Sequence, residues 1–357
     1  MVSSVGVVSM TRRYWQCRCG EPGAYAVDEL LGIDSRYSTV VQKHACRLAA
    51  DTSFAKTSEH LDEMLKVKVC AETVRTLVEG HGRAMAAFQL ADPVTDAGFG
   101  SAEGEVEFAV DAGKVHTREE GWKDLKIGVI SKREPCEGVS AAGWDGQRLH
   151  AATFVIAFAM IASAQVFRRS WRGRFRRLGV TAFGAIHVLG DGAGWIWKSA
   201  TRTLTGCVQT LDLYHAGEHL ATAAKAAKAI FGDGTAEATA AFERGRSLLI
   251  AKGWSGVCEW VGEQLSAAEG AERERRRKFT DRVIGYFSKH VGRLNSAERL
   301  ASGRAIGSGA VEGQAKTLGL RLKSRGARWN LASVRPMASL VCVRHSPQWD
   351  AYWSQAA

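Results

Sequence analysis

Two stretches decide the reading of this chain: EVEFAVDAGKV at residues 105–115 and AIHVLGDGAGWIW at residues 185–197. Each is an apolar, strand-like run that delivers an aspartate, Asp111 or Asp191, beside small residues that leave space above the carboxylate. Gly190, Gly192 and Gly194 around Asp191 let a backbone or a ligand come close. Acids at strand ends face one edge of a sheet. Two or three of them suffice for a hard divalent ion, which takes oxygen ligands and keeps positions for water and phosphate. Singly, an aspartate after a strand is more often a turn or cap residue; the repeated pattern is what points to metal chemistry.

Outward from these stretches, residues 125–131 (LKIGVIS) and 149–159 (LHAATFVIAFA) read as strands, 167–179 (FRRSWRGRFRRLG) as an arginine-rich helix, and 207–215 (CVQTLDLYH) as a last short strand. Three strands, a helix and two more strands is an α/β order. The strand-like text begins after a Pro- and Gly-containing break at 92–104 (DPVTDAGFGSAEG), a natural domain boundary. Upstream, residues 39–51, 58–65 and 69–82 carry helical periodicity. They fit either a helix-turn-helix whose last helix, about 71–79, enters a major groove, or a plain helical bundle. Residues 216–300 are dominated by Ala, Lys, Glu and Arg and read as three or four helices. The expected organisation is therefore a helical region over 1–104, an α/β domain assembled from 105–215 and 301–345, and a helical block over 216–300.

The chain has 357 residues, with 48 Lys and Arg against 37 Asp and Glu, a net charge of +11. That excess favours a polyanionic partner, with an ordinary solvated basic surface as the alternative. Arg168, Arg169, Arg172, Arg174, Arg176 and Arg177, interleaved with Trp171 and Phe175, form the densest cluster and are expected to grip backbone phosphates and pack on sugars or bases. The run RERRRK at 273–278 is a second candidate, although Glu272 and Glu274 make intrahelical ion pairs an equal explanation. Trp195 and Trp197 fit core packing better than base stacking. The eight cysteines form no regular framework, and Cys17-x-Cys19, near His44 and Cys46, lacks the spacing usual for zinc, so reduced thiols are expected. The longest apolar run, 151–164, is too short to span a membrane. A soluble, cytoplasmic protein without a membrane partner is the expectation.

A third acid, Glu312, lies early in a helical stretch at 308–324 (SGAVEGQAKTLGLRLKS) that opens on a capping serine, Ser308. Lys316 and Lys323 fall on nearly the same face as Glu312. An exposed Glu paired with Lys one turn on is the bland alternative.

The order Asp111, Asp191, Glu312, with the phrases DGAGWIW (191–197), LDLYHAGEHL (211–220) and SGAVEGQAK (308–316) followed by RLKSRGARW (321–329), resembles DDE-type transposases. It looks like the ISKra group of bacterial insertion sequences and, more broadly, the Mutator-like lineage, over about residues 105–335. That lineage carries a Cys-or-Asp, x, x, His element after the second Asp, and Asp212 to His215 stand in that place. The resemblance implies an RNase H-like catalytic domain interrupted by an all-helical insertion, with Asp111, Asp191 and Glu312 as catalytic metal ligands. It implies two Mg2+ ions, for which Mn2+ can substitute, roughly 3.5–4 Å apart and bridged by Asp111.

Asp212, His215 and Lys316 would then support the ligands or touch phosphate, with His215 equally readable as a structural histidine at a strand–helix junction. Lys323, Arg325 and Arg328 would join the arginines of 168–177 on DNA. The implied partners are double-stranded DNA, as terminal inverted repeats and as target, and a second copy of the chain in a dimer or higher oligomer. The implied function is cleavage and strand transfer of an insertion sequence. The alternatives are another RNase H-like nuclease such as a resolvase, and a catalytically inactive DNA-binding derivative.

Overall fold

The computed structural model describes residues 1–16, 18, 23, 25–30, 36–226 and 235–355. Cys17 and Cys19, weighed above as half of a zinc knuckle, lie outside the described residues. A two-residue hairpin, β1 (Val2–Ser3) with β2 (Gly6–Val7), and a short helix α1 (Ala26–Leu30) precede the first long elements.

The centre of the molecule is one five-stranded mixed sheet: β3 (Glu105–Thr117), β4 (Gly121–Arg133), β5 (Phe154–Ile161), β6 (Ile186–Gly190) and β7 (Val208–Leu211). Its order is β5-β4-β3-β6-β7. The first three strands run antiparallel to their neighbours, while β6 and β7 continue parallel to β3. The α/β character read from the sequence is thus present. Helix α6 (Ala164–Arg177) leads from β5 towards β6, and α7 (Gly194–Thr203) joins β6 to β7.

Alternation along β3 sorts its residues between two apolar layers. Phe108 and Val110 face one layer, with Phe158, Phe167, Trp171, Phe175, Ile196 and Leu211. Ala109 and Val115 face the other, with Ile127, Val129, Val311, Leu340 and Val341. The first layer takes in the helices after β7: α8 (Leu213–Ala226), α9 (Ala236–Lys252), α10 (Trp254–Ser266), α11 (Gly270–Phe287) and α12 (Ser296–Ala301). The second takes in α13 (Gly309–Leu322), α14 (Leu331–Arg344) and α15 (Gln348–Gln355).

The second layer also holds the N-terminal helices α2 (Thr39–Ala49), α3 (Phe54–Leu65) and α4 (Ala71–Phe88), through Val41, Leu61, Val74, Val78 and Met85. The boundary expected at residue 104 therefore separates no independent core. Gly82 shows why: a Cβ there would overlap the backbone of Pro336, so α4 and α14 cross at backbone contact. The segment expected as a recognition helix turns Val74, Val78 and Glu79 inward and ties Arg75 to Glu72 and to Glu79 (3.2 Å).

At three places the local structure differs from the pattern of the sequence. Residues 92–104 are not a loop but contain α5 (Pro93–Ser101), started by Asp92, whose side chain accepts from the Val94 and Thr95 amides, and by Pro93 in the first turn. Residues 185–197 are not one strand; β6 stops at Gly190 and α7 begins at Gly194. Asp111 does not end its strand, because the β3–β4 hairpin runs on to Thr117 after β6 has finished. Among the described residues, no helix is long and apolar enough to cross a membrane.

Candidate metal centre

The sheet register brings three aspartates to one level. Val110 pairs with Gly190, and Gly190 pairs with Leu211. Asp111, Asp191 and Asp212 are the next residue on each of these three neighbouring parallel strands. Sequence alone marks them as three separate acids; the ladder lines them up at the carboxyl ends of β6 and β7, where ligands of open α/β sheets bind.

Asp111 is half-buried and accepts from its neighbour's amide, Ala112 N, at 2.6 Å. Asp191 is half-buried too and accepts from Ala193 N at 2.8 Å. Burial holds the Asp191 carboxyl above its ordinary pKa, and the charges of Asp111 and Asp212 push the same way against the Ala193 amide and His215.

Asp212 differs from both. It is wholly buried, and it caps α8 by accepting from His215 N at 2.9 Å. Its other oxygen accepts from the amide of Ser308 and, at 2.7 Å, from the Ser308 hydroxyl. One carboxylate thus joins the start of α8 to the residue just before α13. Adjacent backbone bonds complete the joint: Asp212 N donates to Gly190 O at 2.9 Å and Leu213 N to Ile306 O at 3.0 Å. Gly307 packs closely here, where a Cβ would lie 3.0 Å from the Tyr214 ring.

This joint positions Glu312, which lies in the first turn of α13 and is exposed, with Oε1 accepting from the Ser308 hydroxyl at 3.3 Å. His215 stands between the acids, with Nε2 4.0 Å from Glu312 and Nδ1 3.4 Å from Glu218. Burial works against its protonation, but Asp212, Glu218, Asp191 and Glu312 together raise its pKa. The surrounding acids therefore bias the junction histidine towards its cationic form.

Asp212, His215 and Glu312 could hold a metal ion, since one ligand atom from each lies within 4.8 Å of the other two. The expected trio Asp111, Asp191 and Glu312 does not close to that distance. In the closer trio Asp212 has already committed both oxygens to hydrogen bonds within the protein.

Tyr286 carries no mark in the sequence, and His219 stands in the phrase LDLYHAGEHL with no role read for it. Tyr286, on α11, stacks on His219 with ring centroids 3.5 Å apart, and its buried hydroxyl has no hydrogen-bond partner among the described residues. Burial, then the charges of Asp191, Asp212 and Glu218, raise its pKa. Gly192 makes room for it, because a Cβ there would overlap the Tyr286 hydroxyl. The helical block after β7 therefore places a side chain at the carboxylates, about a hundred residues from Asp191, with no local sequence signal to mark it. Beside Gly192 a cavity of about 620 Å³ carries Lys198, Arg202, Lys289 and Arg293.

The arginine cluster divides. Arg169, Arg172 and Arg176 are exposed and Arg168 is half-buried. Arg174, expected on phosphate, is instead buried, with its guanidinium 4.2 Å from the Phe158 ring centroid. Arg177 pairs with Asp96 at 2.9 Å and donates to Gln89 O at 2.9 Å. Trp171 and Phe175 are core residues rather than a base-stacking surface, because the stripe Phe167, Trp171, Arg174, Phe175 and Leu178 is the inward face of α6. That helix packs on the sheet face opposite α13.

In the second basic run, Arg276 pairs with Glu272 at 2.8 Å within α11. Trp197 is buried and Trp195 packs against the same core. Lys316 is exposed on the Glu312 helix, whereas Lys323, Arg325 and Arg328 gather beyond its far end. No protein-family model and no curated protein matches the sequence.

Proposed function

We propose that this chain is a DDE-type DNA transposase of the ISKra kind, with an RNase H-like catalytic domain interrupted by the helical block after β7. The observation that carries the proposal is the register: Asp111, Asp191 and Asp212 follow the mutually paired residues Val110, Gly190 and Leu211, and Asp212 anchors the start of the helix that carries Glu312. Three antiparallel strands continued by two parallel ones, in the order β5-β4-β3-β6-β7, fit the same fold. Four carboxylates around one histidine leave negative charge that a divalent cation would balance.

Asp111, Asp191 and Glu312 would hold Mg2+, or Mn2+ in its place, as a pair of ions. Bound there, such ions acidify water and neutralise the charge that develops on a scissile phosphate. The remaining roles belong to the chain. Asp212 and Ser308 fix the approach of Glu312, protonated His215 offers a hydrogen bond to a phosphate oxygen, and Lys198, Arg202, Lys289 and Arg293 give a cationic path for double-stranded DNA leading from Asp191. The reaction is strand cleavage by water followed by attack of the freed 3′-hydroxyl on target DNA. Handling two terminal repeats calls for a dimer or larger assembly, working in the cytoplasm on the nucleoid.

The 4.8 Å trio of Asp212, His215 and Glu312 favours a second reading, a nuclease with a single hydrolytic ion. Pre-cleaved element ends with 3′-hydroxyls, incubated with Mg2+ and target duplex, separate the two. Joined product that disappears in Asp111→Asn, Asp191→Asn and Glu312→Gln supports the transposase. Hydrolysis without joining supports the nuclease, and wild-type activity in all three variants would sink both.

A further inference from the structure

Far from the acids, beyond the C-terminal end of α13, a cavity of about 510 Å³ opens between the start of α3, α4 and the segment 324–330. Its floor is Arg321, which is only 3% exposed. The Arg321 guanidinium lies 5.0 Å from the Phe54 ring centroid and 4.8 Å from that of Trp329, and its Nε donates to Ala49 O at 2.6 Å. Among the described residues its buried Nη2 has no hydrogen-bond partner, and no carboxylate comes within ion-pair distance of it.

A buried guanidinium without a directly paired anion is costly: the Asp51 carboxylate favours its charge only from beyond ion-pair distance, and its set of acceptors is incomplete. Two aromatic faces recover part of that cost. The missing partner is an anion, and the walls agree. Arg118, Arg325 and Arg328 line the same cavity and form no ion pair among the described residues. The one lining acid, Glu79, is held by Arg75 at 3.2 Å.

The cavity is braced for a fixed geometry. Trp329 Nε1 donates to Leu322 O at 2.9 Å, Arg118 N donates to Trp329 O at 2.9 Å, and Leu331 N donates to Glu119 at 3.0 Å. The tip of the β3–β4 hairpin and the end of α13 are thereby locked around the arginines.

We propose that this cavity is a phosphate-binding site, with Arg321 at its base and Arg118, Arg325 and Arg328 at its mouth, and that it takes a backbone phosphate of duplex DNA. The anion site stands on the cavity alone; its assignment to DNA rests on the function proposed above. Glu312 and Arg321 are nine residues apart on one helix, on the order of 13 Å at 1.5 Å per residue. A phosphate held here would therefore sit some four base-pair steps from the acids, at about 3.4 Å per step, and would set the distance between the gripped duplex and the scissile bond.

The test uses the full chain in EDTA. Affinity for a 30-base-pair duplex is measured by fluorescence anisotropy between 50 and 300 mM KCl, and urea unfolding is measured with and without inorganic phosphate at constant ionic strength. Each DNA phosphate that the protein ceases to neutralise lowers the slope of log K against log salt by about 0.9. Arg325→Ala/Arg328→Ala, whose side chains are exposed, should release the one phosphate held there, lower the slope by about 0.9 and weaken binding severalfold at 150 mM. Inorganic phosphate should protect the wild type from urea and leave Arg321→Lys unprotected.

Protection by phosphate with an unchanged DNA slope in the double variant would assign the site to a free phosphate and overturn the DNA part. Neither effect would overturn the site. Asp191→Asn carried in parallel keeps the two proposals apart, because a failed strand-transfer reading leaves the salt slope and the phosphate protection where they are.

Discussion

Asp212 is the residue on which stability and function divide most sharply, and Asp212→Ala measured without divalent metal exposes which it serves. The substitution removes three accepted hydrogen bonds, from His215 N at 2.9 Å, from the Ser308 amide and from the Ser308 hydroxyl at 2.7 Å. Loss of the α8 cap costs about 1 kcal/mol. The Ser308 amide, buried and left without an acceptor, costs about 2 kcal/mol. The hydroxyl can turn to Glu312, 3.3 Å away, so its loss is about 1 kcal/mol.

The total is about 4 kcal/mol, a fall in Tm of roughly 8 °C at about 2 °C per kcal/mol for a chain of this size. Asp212→Asn should fall about halfway, since the amide oxygen still caps α8 while its NH2 cannot accept from the Ser308 amide. Differential scanning calorimetry and urea unfolding in EDTA read both values. A loss under about 1 kcal/mol in Asp212→Ala would refute the joint between α8 and α13. If, further, Mn2+ raised the Tm of the wild type and not of Asp212→Asn, the carboxylate would be a ligand instead.

Asp191→Asn should behave oppositely. Burial, with Asp111 and Asp212, keeps the Asp191 carboxyl above its ordinary value of 3.8, so the folded chain holds this proton longer than the unfolded one and its ionisation opposes folding. Wild-type stability therefore falls relative to Asp191→Asn as pH rises from about 4 through the raised pKa, and parallel Tm curves for the two proteins between pH 4 and 7 would contradict this. On α4, Gly82→Ala should destabilise by about 1–3 kcal/mol because its methyl meets the Pro336 backbone. Gly80→Ala on the same helix, with open space around it, should stabilise by about 0.5–1 kcal/mol in thermal unfolding. Arg174→Met should leave duplex affinity and its salt slope unchanged, whereas Arg169→Ala/Arg172→Ala/Arg176→Ala lowers both if α6 meets DNA; anisotropy titration reads the difference.

The strands were legible because β3, β4 and β5 are dense in apolar, β-branched and aromatic residues, as at Phe108, Val110, Ile127, Val129 and Ile130. Their pairing was not. Nothing local says that Val110 will sit beside Gly190 and Gly190 beside Leu211, so the alignment of three aspartates needs the folded sheet. The inward stripe of α6 was written at helical spacing in Phe167, Trp171, Arg174, Phe175 and Leu178, and arginine composition obscured it. Asp92-Pro93 is a helix-start signal that the glycines following it outweighed. The N-terminal helices misled for a different reason: an amphipathic face reads the same whether it closes a separate bundle or, as Val74, Val78 and Met85 do, a layer beneath a sheet. Tyr286 reaches the acids through tertiary packing alone.

The bond between Asp212 and Ser308 closes a circuit across 96 positions of chain. Closing a loop costs only slowly more as it lengthens, about 0.6 kcal/mol per doubling, and here the two ends are held by one carboxylate. Changes of length in the turns of the helical block alter the circumference of that circuit, while this bond keeps the start of α13 on the sheet. The helices themselves are held in phase, α9 and α10 by the core through Leu248, Val257 and Trp260, and α11 by the Tyr286 ring in the space Gly192 leaves.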